Sequence, residues 1–173
     1  LSSINLNGQV LRPDSTKKKP VILTLEGADQ AAFAAIPDSK GYLNDFENIF
    51  NRQQRDSLIK LFNRYKINAD SNQFTVVTIN DYEPYKDISE VATAFADTWQ
   101  LGYKNKNGVM IIFSKAKKQA RIQIGEGLQD KLNDASNKYI LDNYLIPQFR
   151  AGNYCAGTYN AMDVIFQILY GKK

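Results

Sequence analysis

The chain has 173 residues, with 22 Lys or Arg, 18 Asp or Glu, no histidine and a single cysteine, Cys155. That length suits one domain with a proper core, and the mixed composition is globular rather than disordered or fibrous. Without imidazole or a second thiol, the chain has no Ser-His-Asp or Cys-His nucleophile pair, no His-bearing or multi-thiolate metal site and no intramolecular disulfide.

The net charge of +4 owes much to the run Lys17, Lys18 and Lys19; without it 19 basic residues face 18 acidic ones, which argues against nucleic acid as a partner. No run approaches the roughly 20 apolar residues that span a bilayer. Leu1 stands where a Met would open a chain, and a leader or anchor is expected upstream.

Residues 1–36 read as a flexible arm or linker, with a short strand candidate "VILTLE" at 21–26 and a helical turn "ADQAAFAAIP" stopped by Pro37. The domain proper is expected over 37–173. Asn51 through Lys66 has Leu58, Leu61, Phe62 and Tyr65 at helical spacing, and Asn51 with Gln54 resembles a capping box. "NQFTVVTIN" (72–80) is a strand by its β-branched content. Asp87 with Glu90 opens a helix whose apolar face is Ile88, Val91, Phe95 and Trp99. "GVMIIFS" (108–114) is apolar throughout, as a central strand is, whereas "ARIQIG" (120–125) alternates and belongs nearer an edge. "KAKKQ" is the hairpin loop between them. Beyond Gly127 the pattern is helical: "LQDKLND", then "ASNKYILDNYLIPQF" with Pro147, then "YNAMDVIFQILY". The order implies an α/β fold, a three-layer α/β/α sandwich around a small mixed sheet.

Chemistry must come from carboxylates, hydroxyls, amides, Lys and Arg. "GEGLQD" (125–130) follows a hairpin strand and matches neither GxGxxG nor GxxxxGK[ST]. A helix start there would offer N–H groups to an anion. The simpler reading is that Gly125 and Gly127 supply positive φ for a sharp turn. Asp45, Asp87 and Asp134 each precede a helix-like segment. Each reads as an N-cap, Asp87 best and Asp45 least. Gathered at one sheet edge they would instead form an open Ca²⁺ or Mg²⁺ site. Trp99, Tyr103, Tyr139 and Tyr144 read as packing more than as a cleft. Lys115, Lys117 and Lys118 read as a solvated turn, Arg121 as a salt-bridge partner or anion ligand, and Cys155 as inert packing.

The segments "GYLND", "ISEVATAFADTWQLGYKNKNGVMIIFSKAKKQARIQIGEGLQDKLNDA" and "IPQFRAGNYCAGTYNA", in that order, resemble the TPM domain family over about residues 37–170. That family includes a thylakoid-lumen protein reported as an acid phosphatase, photosystem II repair factors, a receptor auxiliary protein and bacterial envelope proteins. The resemblance implies an α/β/α sandwich and, in several members, a divalent-metal crevice of acidic residues. By position Asp45 and Asp134 match the recurrent aspartates, and Asp87 falls where a polar or acidic residue is usual. Asn107, Gly108, Arg121, Gly125 and Gly127 match as well. Gln129 departs from the pattern, standing where Glu is common.

The expected function is a domain of the periplasm or cell envelope that binds Ca²⁺ or Mg²⁺ through Asp45, Asp134 and Asp87 and serves a membrane or envelope protein partner. The alternative is a metal-dependent acid phosphatase acting on a small phosphate ester, with Arg121 or Lys115 stabilising charge. A third reading is a plain interaction module in which the aspartates are caps.

Overall fold

The computed structural model of the protein describes residues 36–67 and 73–171. The strand expected at 21–26 and nearly all of the turn 28–37 lie outside the described residues. In chain order the elements are β1 (Leu43–Asp45), α1 (Arg52–Arg64), β2 (Phe74–Thr78), α2 (Ile88–Thr98), β3 (Val109–Ser114), β4 (Gln119–Ile124), α3 (Asp134–Ile140), α4 (Ile146–Arg150) and α5 (Tyr154–Tyr170). The strands lie in the order β1-β2-β3-β4, with β1, β2 and β3 parallel and β4 antiparallel to β3.

Strand alternation divides the core. Val76, Ile111 and Phe113 point to one face, where Leu58 and Phe62 of α1 and Met162 and Phe166 of α5 cover them. Val77, Met110 and Ile112 point to the other, under Val91 and Phe95 of α2 and Trp99 at its C-cap. β3 is therefore buried along all six residues, as its unbroken apolar run requires. Each fully buried Phe or Ile in these layers contributes on the order of 2 kcal/mol relative to exposure. The three-layer α/β/α sandwich with a small mixed sheet is the fold expected above.

Local signals hold at several ends. Asn51 and Gln54 form the reciprocal capping box of α1. Asp87 caps α2, although Glu90 accepts from Lys86 N–H at 2.7 Å, so that box is displaced by one residue. Other expectations need correction. "LQDKLND" is no α-helix but a 3-10 turn over Glu126–Leu128 followed by irregular chain that still buries Leu132. The segment after Asp134 is interrupted by a π-helical stretch, Leu141–Leu145, between α3 and α4. Pro147 has no N–H to give the carbonyl of Asn143 and its ring crowds that oxygen, so the chain widens to pass it. Helix α5 begins at Tyr154, five residues before the expected segment "YNAMDVIFQILY".

β1 has no strand signature because it is three residues long. It is held by polar groups instead: fully buried Asn44 donates to Gly41 O and Thr75 Oγ1 at 2.8 Å each, and accepts from Lys40 N–H at 2.6 Å. Trp99 is core, and its indole N–H fastens the 36–40 segment by donating to Pro37 O at 2.7 Å. Tyr103 and Tyr139 are not core; both are more than half exposed, and Tyr144 packs edge-on against Tyr139.

Candidate functional site

The C-terminal ends of β1, β2 and β3 form one edge of the sheet, where α/β folds place their functional loops. Asp45 closes β1 there, opposite Thr78. Its side chain is fully buried and accepts four donors. Ile49 N–H and Thr78 Oγ1 donate to Oδ1 at 3.0 and 2.6 Å, and Phe50 N–H to Oδ2 at 3.1 Å. Arg55, one turn into α1, sets Nη2 2.8 Å from Oδ2. Asp45 is thus neither an N-cap nor a free ligand. It gathers the 45–50 turn, and burial of its charge is compensated by a guanidinium and three hydrogen bonds. The adjacent Glu47 accepts Lys115 N–H and Ala116 N–H at 3.0 Å each, tying the same turn to the β3–β4 hairpin.

The other two aspartates stand elsewhere. Asp87 begins α2 on the opposite face of the sheet and accepts from Ser89 N–H at 2.9 Å and Glu90 N–H at 3.0 Å. Asp134 is the first residue of α3, and its neighbour Asn133 is the cap, accepting from Ser136 N–H at 3.0 Å. The segment leading to Asp134 leaves β4 at Ile124, which pairs with the first residue of β3, the end of the sheet remote from Asp45. Among the described residues no three acidic or cysteine side chains are grouped as metal ligands. With Asp45 saturated by donors and Asp87 occupied as a cap, these residues do not fit a divalent cation shared by the three.

The residues meant to stabilise charge in a hydrolase are also apart. Asp45 shares its face with Leu43, over α1, while Arg121 pairs with Ile112 and stands on the α2 face. Arg121 Nε donates to Gln123 Oε1 at 2.9 Å. Lys115 Nζ lies 5.8 Å from the Tyr154 ring centre. Asp81 holds Lys117 at 3.2 Å; burial acts against its charge, but bonds from Tyr82 N–H, Lys117 and Glu83 N–H leave the carboxyl below its ordinary value.

Gly-Glu-Gly is not a phosphate cradle. Gly125 N–H donates to Gly108 O at 2.8 Å and Gly127 N–H to Lys106 O at 3.0 Å, so neither N–H awaits an anion. Nor does either glycine take a left-handed φ; Gly125 has φ −70°, and among the described residues the positive-φ glycines are Gly41, Gly102, Gly152 and Gly171. The reason is close approach. A Cβ on Gly125 would lie 2.0 Å from Lys106 O, one on Gly127 2.1 Å from Asn105 O, and one on Gly108 2.4 Å from Leu101 Cγ. Asn107 belongs to the turn so packed. Asp97, Glu126 and Lys106 line the shallow cleft beside it, and with the lysine paired to Glu126 no cation among the described residues is left there for an anion. Glu126 bonds the Lys106 ammonium, raising the lysine's pKa above its ordinary value.

A groove of about 670 Å³ lies between α1 and the start of α5. Ile49, Phe50 and Tyr154 give it apolar walls, and its charged lining residues, Lys60 and Arg64, are both cationic. Asn153 does not cap α5 with its side chain but donates to Gln148 Oε1, so the helix start, whose residues 153–156 line the groove, has no side-chain cap. Arg64 donates to Tyr159 Oη at 3.0 Å and reaches Asp163 at 3.9 Å. Cys155 lines the same groove, and burial pushes its thiol pKa up, so it is a poor nucleophile.

Sequence reading missed Arg55, Thr78 and the groove. The first had a local signal, since the Asn51 cap sets where α1 starts and hence which face Arg55 turns back to the Asp45 turn.

These features define a three-layer α/β/α domain with a buried, arginine-paired aspartate at the strand ends. Residues 43–168, well over half of the chain, match the TPM domain family, and the chain belongs to it. No curated protein matches the chain. Solved structures share the fold. The N-terminal domain of a protein from P. gingivalis, determined by NMR in solution, is 24% identical with a TM-score of 0.60, over 75% of this chain and 82% of that one. The BA42 protein of the psychrophilic bacterium Bizionia argentinensis is 17% identical with a TM-score of 0.59, over 72% and 83%. The N-terminal domain of the cg2496 protein of Corynebacterium glutamicum is 10% identical with a TM-score of 0.57, over 80% and 86%. At these identities the likeness concerns the fold alone.

Proposed function

We propose that this TPM domain is a recognition module that serves a protein partner by receiving an acidic, partly apolar segment of it in the groove between α1 and α5. The groove's lining carries the reading: two cations, no carboxylate, apolar walls, and the positive end of a 17-residue helix. Asp45 supports it from the other side, because a carboxylate engaged by four donors is neither nucleophile nor general base. An envelope location for the partner rests on the family resemblance. Among the described residues no helix is long and apolar enough to cross a membrane.

The test is an amide NMR titration with a Glu/Leu/Tyr nonapeptide and its Lys-for-Glu counterpart, run beside a p-nitrophenyl phosphate assay with Ca²⁺ or Mg²⁺. The acidic peptide is expected to shift the amides of Tyr154, Cys155 and Ala156, and Lys60→Glu to weaken it about tenfold, which is roughly 1.4 kcal/mol. Equal shifts from both peptides would reject the charge complementarity. Ester turnover that survives purification and falls in Asp45→Asn would replace the recognition module by a hydrolase.

A further inference from the structure

The turn from Phe46 to Asn51 folds around a cation that belongs to the chain. Arg55 Nε donates to Phe50 O at 2.8 Å, Nη2 donates to Asn48 Oδ1 at 2.6 Å, and the same Nη2 lies 2.8 Å from Asp45 Oδ2. A carboxylate, an amide oxygen and a backbone carbonyl are the ligand types that Ca²⁺ and Mg²⁺ take. Asn48 sits at φ 53°, a left-handed conformation that Asn tolerates, and its N–H donates to Asp45 O at 3.3 Å. The turn is wound so that three oxygens from positions 45, 48 and 50 face one guanidinium, Phe50 O at Nε and the other two at Nη2. The Arg55 side chain is 36% exposed, so this point communicates with solvent while Asp45 itself is sealed.

We propose that Arg55 is a tethered cation occupying the place a divalent metal would take among Asp45, Asn48 and Phe50 O, so that the wild-type turn is ordered without metal and binds none there. This accounts for the misfit between the acidic residues and the metal that the family resemblance implies. The fork of the guanidinium reaches the three oxygens at once, and its covalent tether makes occupancy independent of ion concentration. A metal entering from solvent would have to displace an arginine held through all of them. Because Glu47 in the same turn holds the Lys115 and Ala116 N–H groups, the arginine also secures the contact with the β3–β4 hairpin.

The experiment is an amide NMR titration of the wild type and Arg55→Gln with CaCl₂ and MgCl₂, with thermal unfolding followed in EDTA and in millimolar Ca²⁺. The wild type should show no saturable shift at the amides of residues 46–51 and a Tm indifferent to Ca²⁺. Arg55→Gln should have a lower Tm in EDTA, recover part of it in Ca²⁺, and show saturable shifts at residues 46–51 that vanish when Asp45→Asn is added. Saturable shifts of these amides in the wild type would overturn the proposal, as would an Arg55→Gln variant indifferent to both ions. Should that variant fail to fold in EDTA, refolding on addition of Ca²⁺ is the same positive result, and failure to refold counts against the proposal.

Discussion

At the C-terminal ends of the parallel strands the chain turns around a buried carboxylate, whereas at the opposite end of the sheet it turns around glycines. Asp45 draws Ile49, Phe50, Thr78 and Arg55 onto two oxygens. Gly102, Gly108, Gly125 and Gly127 leave no side chain, and the backbone of 105–108 lies directly on that of 125–127. The first junction is polar and tunable, since its strength depends on how many donors the carboxylate keeps. The second is steric, because a backbone carbonyl has nowhere to go when a methyl group arrives. Both motifs look functional in sequence. Each is first of all a way of closing a loop over a sheet edge.

Either junction can be weakened by a single substitution. Gly125→Ala, which places a methyl group 2.0 Å from Lys106 O, should have the largest effect, a loss of about 3 kcal/mol or more in urea unfolding. A wild-type-like midpoint would show that the turn yields and that the junction is not steric. Asp45→Asn should cost about 2 kcal/mol, because one amide oxygen replaces two carboxylate oxygens that face four donors. Losses below about 0.5 kcal/mol would mean the turn holds without its acceptor. Asp87→Ala should remove an ordinary cap worth about 1 kcal/mol, and the same substitution at Asp134, beside the true cap Asn133, should cost clearly less. Equal losses at both positions would contradict the assignment of the caps.

The smallest effect concerns pH. The Asp81 carboxyl is held below its ordinary value, so the folded state binds its proton less readily than the unfolded chain. Its contribution is present above the ordinary carboxylate range and lost as pH falls through the lowered folded value. The side chain is more than a third exposed, so screening keeps this under about 1 kcal/mol. Unfolding midpoints of wild type and Asp81→Asn should therefore converge toward acid. A gap that widens as the pH drops would reverse the sign.

Much of the fold could be read along the chain, since periodicity needs only near neighbours. The α1 stripe Leu58, Leu61 and Phe62, the cap at Asn51, the unbroken run of β3 and the alternation of β4 all appear where their patterns place them. β1 was beyond reach because three residues carry no period, and its place is set by Asn44 reaching across to Thr75, 31 residues away. The candidate site was legible only in its residue types. Asp45 was singled out, but whether it is a ligand depends on Thr78 and Arg55, which come from a second strand and from a helix.

The layered α/β character, the absence of imidazole chemistry and the starts of α1 and α2 follow from the sequence alone, because propensity, capping and burial patterns are local properties. The tertiary structure decided that the three aspartates stand apart, that Gly125 and Gly127 serve close packing rather than positive φ, and that a groove with cationic lining forms beside α5. Those outcomes depend on which surfaces meet across the sheet, and strand pairing joins residues whose separation along the chain carries no signal of their contact.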